Sequence, residues 1–368
     1  MFRKDLFGSR KTVVSDTIDV YLKNSNAAPT VKNAIRRTHK QLSEDGITET
    51  SSLKRSKLHS FTSRKSFVKV ENLNYATRVG IKKKSPRLIQ GAKPEFVSLV
   101  GPWFSSFQRL IKKRWNKDHF IYFTSGAKSL DMGNYISQSG QIMENDVSAW
   151  DSSVSVEWCQ MEVRLAKWFG APRAVIDLMT ANINTHGYTT NGYKYKVPGT
   201  RKSGDPYTSL FNSVLNGCMH VFVYCLNTGK TVKEIKSSYK MLVQGDDSAI
   251  RHSGPRINFA TDILALGFEG KCIYHNNLQD LEFCSSFLLP CDKGYVFVPK
   301  PGKLLCKFGY FINPPLTVNP KSLIRGVCLG LKHLRFLSIY RRFLDTVEQW
   351  CGNVSVFEPP NLEHKYVF

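Results

Sequence analysis

Val243-Gln244-Gly245-Asp246-Asp247 sets two adjacent carboxylates on a tight glycine turn at the end of an apolar run. Residues 240–244 and 248–250 on either side read as strand, turn and strand, a hairpin carrying its acids at the tip. A Gly-Asp-Asp triplet is short enough to arise by chance, so its weight comes from its surroundings. One hundred residues earlier stands Asp146-Val-Ser-Ala-Trp-Asp151. Residues 141–146 read as a short strand, and 157–169 as a helix that Gly170-Ala-Pro172 stops. Asp146 therefore falls at the carboxyl end of a strand. Asp146, Asp246 and Asp247, on two strand ends, offer the hard oxygen donors that a pair of Mg²⁺ or Mn²⁺ ions takes, such ions lying about 3.5–4 Å apart. A lone Asp in a turn more often caps the backbone. Three carboxylates at two strand ends are harder to account for in that way.

The 368 residues are 42% hydrophobic and 12% aromatic, globular material long enough for one large multi-lobed domain or two smaller ones. Against 29 Asp and Glu stand 52 Lys and Arg, a formal charge of +23. Ordinary surfaces stay nearer neutrality, so this balance points to a polyanionic partner, nucleic acid before acidic lipid. The densest basic stretch is 67–115, with eleven Lys or Arg and two acids. Nine cysteines, odd in number and without a C-x-x-C pair, suit reduced buried thiols better than a disulfide framework. Cys272, His275, Cys284 and Cys291 match no familiar zinc spacing. The N-terminus lacks the apolar core of a signal peptide, and no run approaches the roughly 18 apolar residues of a membrane span. Membrane attachment is expected to come from a partner.

Residues 1–66 are polar, basic and weakly periodic, so an extended or partly ordered layer is expected there, with 34–42 the best helix candidate. Residues 193–197 read as a strand, 208–226 as one long buried helix, 258–266 as a helix ended by Gly267, the stretch to about 315 as Pro- and Gly-rich strands, and 322–350 as mostly helical. Ser203-Gly-Asp-Pro-Tyr-Thr208-Ser-Leu-Phe-Asn212 is a flexible turn leading into the long helix, with Thr208 and Asn212 on one face at i and i+4. Hydroxyl and amide groups so presented suit a ribose 2′-OH. The plainer reading makes Ser203 or Asp205 an N-terminal cap and Asn212 merely packed. Trp103, Phe104 and Trp115, among the basic residues, can stack on bases, although aromatics on helices are more often core.

Asp146-x4-Asp151, Ser203-Gly-x3-Thr208-x3-Asn212 and Gly245-Asp-Asp247, in that order and spacing, resemble motifs A, B and C of the RNA-directed RNA polymerases of positive-strand RNA viruses. Lys84-Ser-Pro-Arg87-Leu-Ile-Gln90 resembles motif F, Glu282-Phe-Cys-Ser-Ser286 the motif E hairpin, and Pro301-Gly-Lys-Leu-Leu-Cys-Lys307 the segment entering the thumb. The Phe-Cys-Ser form and the Gly199-Thr-Arg-Lys-Ser-Gly-Asp205 approach are most similar to the tombusvirus- and nodavirus-like groups. The resemblance covers about residues 75–315. It implies an α/β (α+β) right-hand fold with an antiparallel palm sheet flanked by helices. A basic extension would occupy 1–66, fingers 67–140, a palm 141–290 with a fingers insertion at about 171–198, and a thumb 291–368.

The same resemblance implies that Asp146 and Asp246 ligate two Mg²⁺ or Mn²⁺ ions with Asp247 assisting. Asp151 and Asn212, with Ser203, Gly204 and Thr208 nearby, would read the 2′-OH. Arg87 and one of Lys82, Lys83 or Lys84 would neutralise the triphosphate, the alternative being a solvated charge run. Lys271, after the Gly267-Phe-Glu-Gly270 turn, would protonate the departing pyrophosphate. The implied activity is template-directed RNA synthesis from ribonucleoside triphosphates, in viral genome replication and transcription. RNA template and nascent strand would be its partners, and viral or host proteins would recruit it to membrane-associated complexes in the host cytoplasm. A reverse transcriptase would carry a bulky aromatic gate against the 2′-OH and an aromatic residue before its paired acids; Asn212 and Gly245 stand there instead. A non-catalytic RNA-binding protein or polymerase-like scaffold is the rival from another class. It has no reason to keep all three acids in a +23 chain.

Overall fold

The computed structural model describes residues 2–70, 86–311 and 317–357. The chain divides into two compact units. The first comprises residues up to 68, 87–125 and 139–274; of the described residues, the second holds 69–70, 86, 126–138 and those from 275 onward.

The N-terminal stretch departs from expectation. Instead of an extended layer it forms four helices, α1 (Phe2–Phe7), α2 (Ile18–Asn24), α3 (Pro29–Glu44) and α4 (Arg55–Thr62). Helix α3 covers the expected 34–42; the apolar positions of the others are too sparse to give a clear period, yet Leu6, Phe7 and Leu22 are buried there, as Ile35 and Leu42 are in α3. The anchors lie on α5 (Pro94–Arg114) and just after it. Arg109 pairs with Asp16, Arg114 donates to the carbonyls of Phe7 and Ser9, and the Trp115 indole donates to Leu6 O at 2.8 Å. Part of the densest basic stretch thus serves internal contacts. Trp103, Phe104 and Trp115 belong to the core and present no face to a base.

The main sheet of this unit contains β3 (Ile121–Phe123), β4 (Gln141–Val147), β7 (Tyr239–Gln244), β8 (Asp247–His252) and β9 (Gly270–His275), in the order β3-β7-β8-β4-β9. Strand β8 is antiparallel to both β7 and β4, whereas β3 runs parallel to β7. The sheet expected to be antiparallel therefore carries a parallel edge strand. Met241, Leu242 and Val243 are all fully buried, the continuous apolar reading of a strand covered on both faces. Helices α7 (Trp150–Ser153), α8 (Val156–Trp168), α9 (Arg173–Asn182), α10 (Thr208–Thr228), α11 (Val232–Ile235) and α12 (Phe259–Ala265) complete this unit. Helix α10 stops at Gly229, which takes the left-handed conformation (φ 66°) common past a helix end. Among the described residues it is the one helix long and apolar enough to cross a membrane, and 72% of its most apolar window is buried inside the protein.

A second sheet, in the order β2-β1-β5-β6, joins β1 (Arg64–Val68) and β2 (Leu88–Gly91) to β5 (Asn184–Thr189) and β6 (Lys194–Pro198). The other unit holds the antiparallel strands β10 (Glu282–Phe283), β11 (Ser286–Cys291) and β12 (Gly294–Pro299), with α6 (Ser129–Ile136) packed on β12. Asn134 accepts from Tyr295 N at 2.8 Å and donates to Lys293 O at 3.1 Å. The β10–β11 loop is Cys284-Ser285, both with positive φ. The strands expected to reach about 315 end at Pro299, where α13 (Pro301–Leu305) begins; α14 (Pro320–Leu331) and α15 (Ser338–Cys351) follow.

Candidate active site

Gln244 pairs with Asp247, so Gly245 and Asp246 form a two-residue hairpin loop. Positive φ falls on Gly245 (65°) and not on Asp246, as in a type II′ turn, whose first loop residue is glycine. A Cβ at Gly245 would meet nothing within 4 Å, so conformation and not space demands glycine. Helix α10 grips the turn from one side. Ser213 Oγ accepts from Gly245 N at 2.7 Å, and Asn216 Nδ2 donates to the carbonyls of Gly245 (3.1 Å) and Asp246 (2.8 Å). Gln244 Nε2 donates to Ser209 Oγ at 3.4 Å. Ser209, Ser213 and Asn216 are spaced to share one helix face.

The register brings Asp146 to this turn. Asn145 of β4 pairs with Ser248 of β8, so the next residues outward on the two strands are Asp146 and Asp247. Asp146, Asp246 and Asp247 are all exposed at this edge. Asp151 lies in α7, entered through Ala149 in a left-handed conformation (φ 50°), and its carboxylate accepts from Asn212 Nδ2 at 3.2 Å. Burial raises its pKa, Asn212 and Arg201 oppose the rise, and the Asp246 charge adds to it. Asp151 and Asp246 are thus within electrostatic reach of each other.

The turn before α10 is organised differently from the simple cap. Neither Ser203 nor Asp205 caps the helix by its side chain; Asp205 instead pairs with Arg64 at 2.7 Å in the interior. Ser203 is half-buried, and Thr208 Oγ1 donates to Lys202 O at 2.6 Å. Asn212 is buried and hydrogen-bonded on both ends of its amide. Gly204 bridges Gly91 so closely that a Cβ would overlap the Gln90 carbonyl oxygen and lie 3.0 Å from its carbon and 3.1 Å from Gly91 Cα. Because those neighbours are backbone, Gly204→Ala is expected to cost about 1–3 kcal/mol. A thermal midpoint several degrees below the parent's in a melting scan would bear this out; an unchanged midpoint would refute it.

Lys271 is exposed on β9, the neighbour of β4, directly after Gly270, whose ideal Cβ would lie 3.3 Å from the Asp146 carbonyl. Arg87 is exposed just ahead of β2, the strand whose Gly91 meets Gly204. Lys82, Lys83 and Lys84 lie outside the described residues.

Among the described residues, no three His, Cys, Asp or Glu side chains form a group ready to hold a metal, the Cys272, His275, Cys284 and Cys291 set included. The carboxylate edge still fits Mg²⁺, which is held by one or two carboxylates together with substrate phosphates and water more often than by an all-protein cage. Asp146, Asp246 and Asp247 are hard donors on neighbouring strand ends, as that mode requires.

Beneath the site lie charged residues that sequence reasoning missed. Arg201 and Glu162 are almost fully buried and meet side by side, Nη1 to Oε2 at 2.9 Å and Nη2 to Oε1. Arg201 Nε donates to Asn212 Oδ1 at 2.7 Å. Burial alone would depress the Arg201 pKa, but Glu162 outweighs it and holds the guanidinium cationic. Burial pushes the neighbouring Lys202 down to about 8, and its Nζ donates to Gly199 O at 2.9 Å. The available signal was a polar residue on the apolar face of a helix, Glu162 in α8 and Ser213 and Asn216 in α10.

The chain belongs to a known class. The profile of the RNA dependent RNA polymerase family matches residues 6–317, and the chain belongs to that family. It is 26% identical over 272 residues to the RNA-directed RNA polymerase of Turnip crinkle virus, covering 67% of this chain and 32% of that protein. To the RNA-directed RNA polymerase of Pothos latent virus it is 25% identical over 263 residues, 66% of this chain and 33% of the relative. A replicase polyprotein 1ab of Beet yellows virus matches at 28% over 225 residues, 58% of this chain and 7% of the polyprotein. The chain therefore spans about a third or less of the length of these relatives. The expected resemblance to viral RNA-directed RNA polymerases is borne out.

Proposed function

We propose that this chain carries out template-directed RNA synthesis from ribonucleoside triphosphates. The observation that carries the reading is the Gly245-Asp246 turn, gripped by α10 and set beside the strand end of Asp146. Asp146 and Asp246 would hold two Mg²⁺ or Mn²⁺ ions, with Asp247 assisting. When bound, such ions supply activation of a 3′-hydroxyl and neutralisation of charge at a leaving pyrophosphate. The chain's own groups do the rest by positioning and charge. Asn212 and Asp151 together offer a donor and an acceptor to a ribose 2′-OH, itself both donor and acceptor, with Ser203, Gly204 and Thr208 shaping the turn beside them. Arg87, with Lys82 or Lys84, neutralises the triphosphate, and Lys271 delivers a proton to pyrophosphate. In this reading 67–140 are fingers, 141–290 a palm, and 291–368 a thumb. The setting is viral genome replication and transcription in the host cytoplasm, through recruitment partners.

Incorporation of labelled ribonucleotides on a short RNA template, with Mg²⁺ and separately with Mn²⁺, tests the reading. RNA binding without incorporation under either ion would favour a scaffold. Within this assay Asn212→Ala is expected to lower discrimination between ribo- and deoxyribonucleotides by about tenfold, the worth of a hydrogen bond to a buried polar partner. Unchanged selectivity would remove Asn212 from the sugar site.

A further inference from the structure

We propose that Arg201, held by Glu162, is a positioning residue that fixes which end of the Asn212 amide faces the site, and so sets ribose selection. The proposal rests on the sugar-site reading above and deepens it.

The two ends of an Asn amide have nearly the same shape and opposite hydrogen-bonding character. Arg201 Nε–H is a donor only, so it pairs with the oxygen end, donating to Oδ1 at 2.7 Å. That leaves Nδ2 facing Asp151, to which it donates at 3.2 Å. Reversing the amide would set two donors against each other at Arg201 and two acceptors against each other at Asp151. Both bonds would be lost at once, and the half-buried Asp151 carboxylate would lose a donor that opposes its raised pKa.

Arg201 can dictate this because it is itself immobilised. Glu162, from α8, takes both terminal nitrogens of the guanidinium. The Arg201 backbone N–H donates to the Asp151 carbonyl at 2.6 Å, so one residue contacts both members of the sugar pair. Gly199 (φ 64°) and Thr200 (φ 61°) are consecutive left-handed residues, and Thr200 N donates to Val154 O at 2.6 Å. This turn directs the next side chain inward. A lysine could not do the same work. The guanidinium is a planar fork whose donors point in two directions, toward Glu162 and toward Asn212, while an ammonium is a single point charge.

Stability gives no adequate reason for the pair. Replacing a buried ion pair with apolar residues of similar volume is often neutral or stabilising, because taking two charges out of water offsets their attraction. A buried Glu162–Arg201 pair whose Nε–H reaches Asn212 is accounted for by what it orients.

The test compares the ATP-to-dATP ratio of kcat/KM on one RNA template for the parent, Asn212→Ala, Arg201→Lys, the paired variant Glu162→Leu with Arg201→Met, and Arg201→Lys combined with Asn212→Ala, with a melting midpoint for each. Arg201→Lys and the apolar pair are expected to lower the ratio about tenfold, mainly through the KM for ATP, toward the value of Asn212→Ala. Arg201→Lys should add nothing to Asn212→Ala, since both break one chain of contacts. If the apolar pair melts like the parent and keeps the parental ratio, the positioning role is overturned and the pair is structural only. If Asn212→Ala itself leaves the ratio unchanged, the sugar-site reading fails, and the positioning role fails with it.

Discussion

Asp246→Asn is expected to abolish RNA extension while leaving RNA binding and the melting midpoint near the parent's. The change removes one negative charge and one hard oxygen donor from an exposed turn. It touches none of the contacts that hold the turn, because α10 grips the backbone carbonyls of Gly245 and Asp246 and the Gly245 amide, not the Asp246 carboxylate. Loss of an outer partner of a metal ligand already lowers affinity or activity by about 10–100-fold, so loss of a ligand itself should exceed that range. Extension measured alongside a filter-binding assay on the same RNA decides the matter. Parallel loss of extension and RNA affinity would mean that Asp246 supports folding or binding and not metal chemistry.

The largest effect on stability is expected at Asp205→Asn. Arg64 and Asp205 are paired at 2.7 Å with side chains 0% and 1% exposed, and the Arg64 guanidinium also lies over the Phe96 ring, 4.3 Å from its centre. Arg64 Nη2 donates to Asn182 Oδ1, and Asn182 Nδ2 donates to Asp205 Oδ2 and to the Tyr207 hydroxyl. Neutralising Asp205 strands a cation in the interior, which costs about 3–5 kcal/mol. The exposed pair Arg36–Asp19 supplies the contrast, since Asp19→Asn should cost no more than about 1 kcal/mol. Denaturant unfolding of the two variants against the parent measures both, and equal small losses would refute the distinction.

Strong periodicity made much of the first unit legible in the sequence. The hairpin over 239–252, the strand leading to Asp146 and the long helix α10 fall where the pattern put them, because each buries a regular apolar face. Of the N-terminal helices only α3 was legible, through residues 34–42. Each buries only a few residues, and what fixes them is tertiary, such as the Trp115 indole on the Leu6 carbonyl. In the site, the acids on strand ends could be found because turn chemistry and spacing are local. Glu162 left a trace as a charge on the apolar face of α8, but its pairing with Arg201, 39 positions away, could not be read in one dimension. Gly204 was visible as a turn glycine, but its approach to Gln90 depends on a strand more than a hundred residues away.

The anchoring of α1 also bears on the order in which a nascent chain can acquire structure. The carbonyl of Leu6 waits for an indole 109 residues later, and Arg10 for a carbonyl 158 residues later. At about 5–20 residues per second of synthesis, the first segment leaves the ribosome on the order of ten seconds before its partners do. Until then the core that buries Leu6 and Phe7 is incomplete, and such short helices are marginal alone in water. Helix α1 cannot settle until α5 and α8 have been made, a delay during which its apolar side chains are open to chaperones.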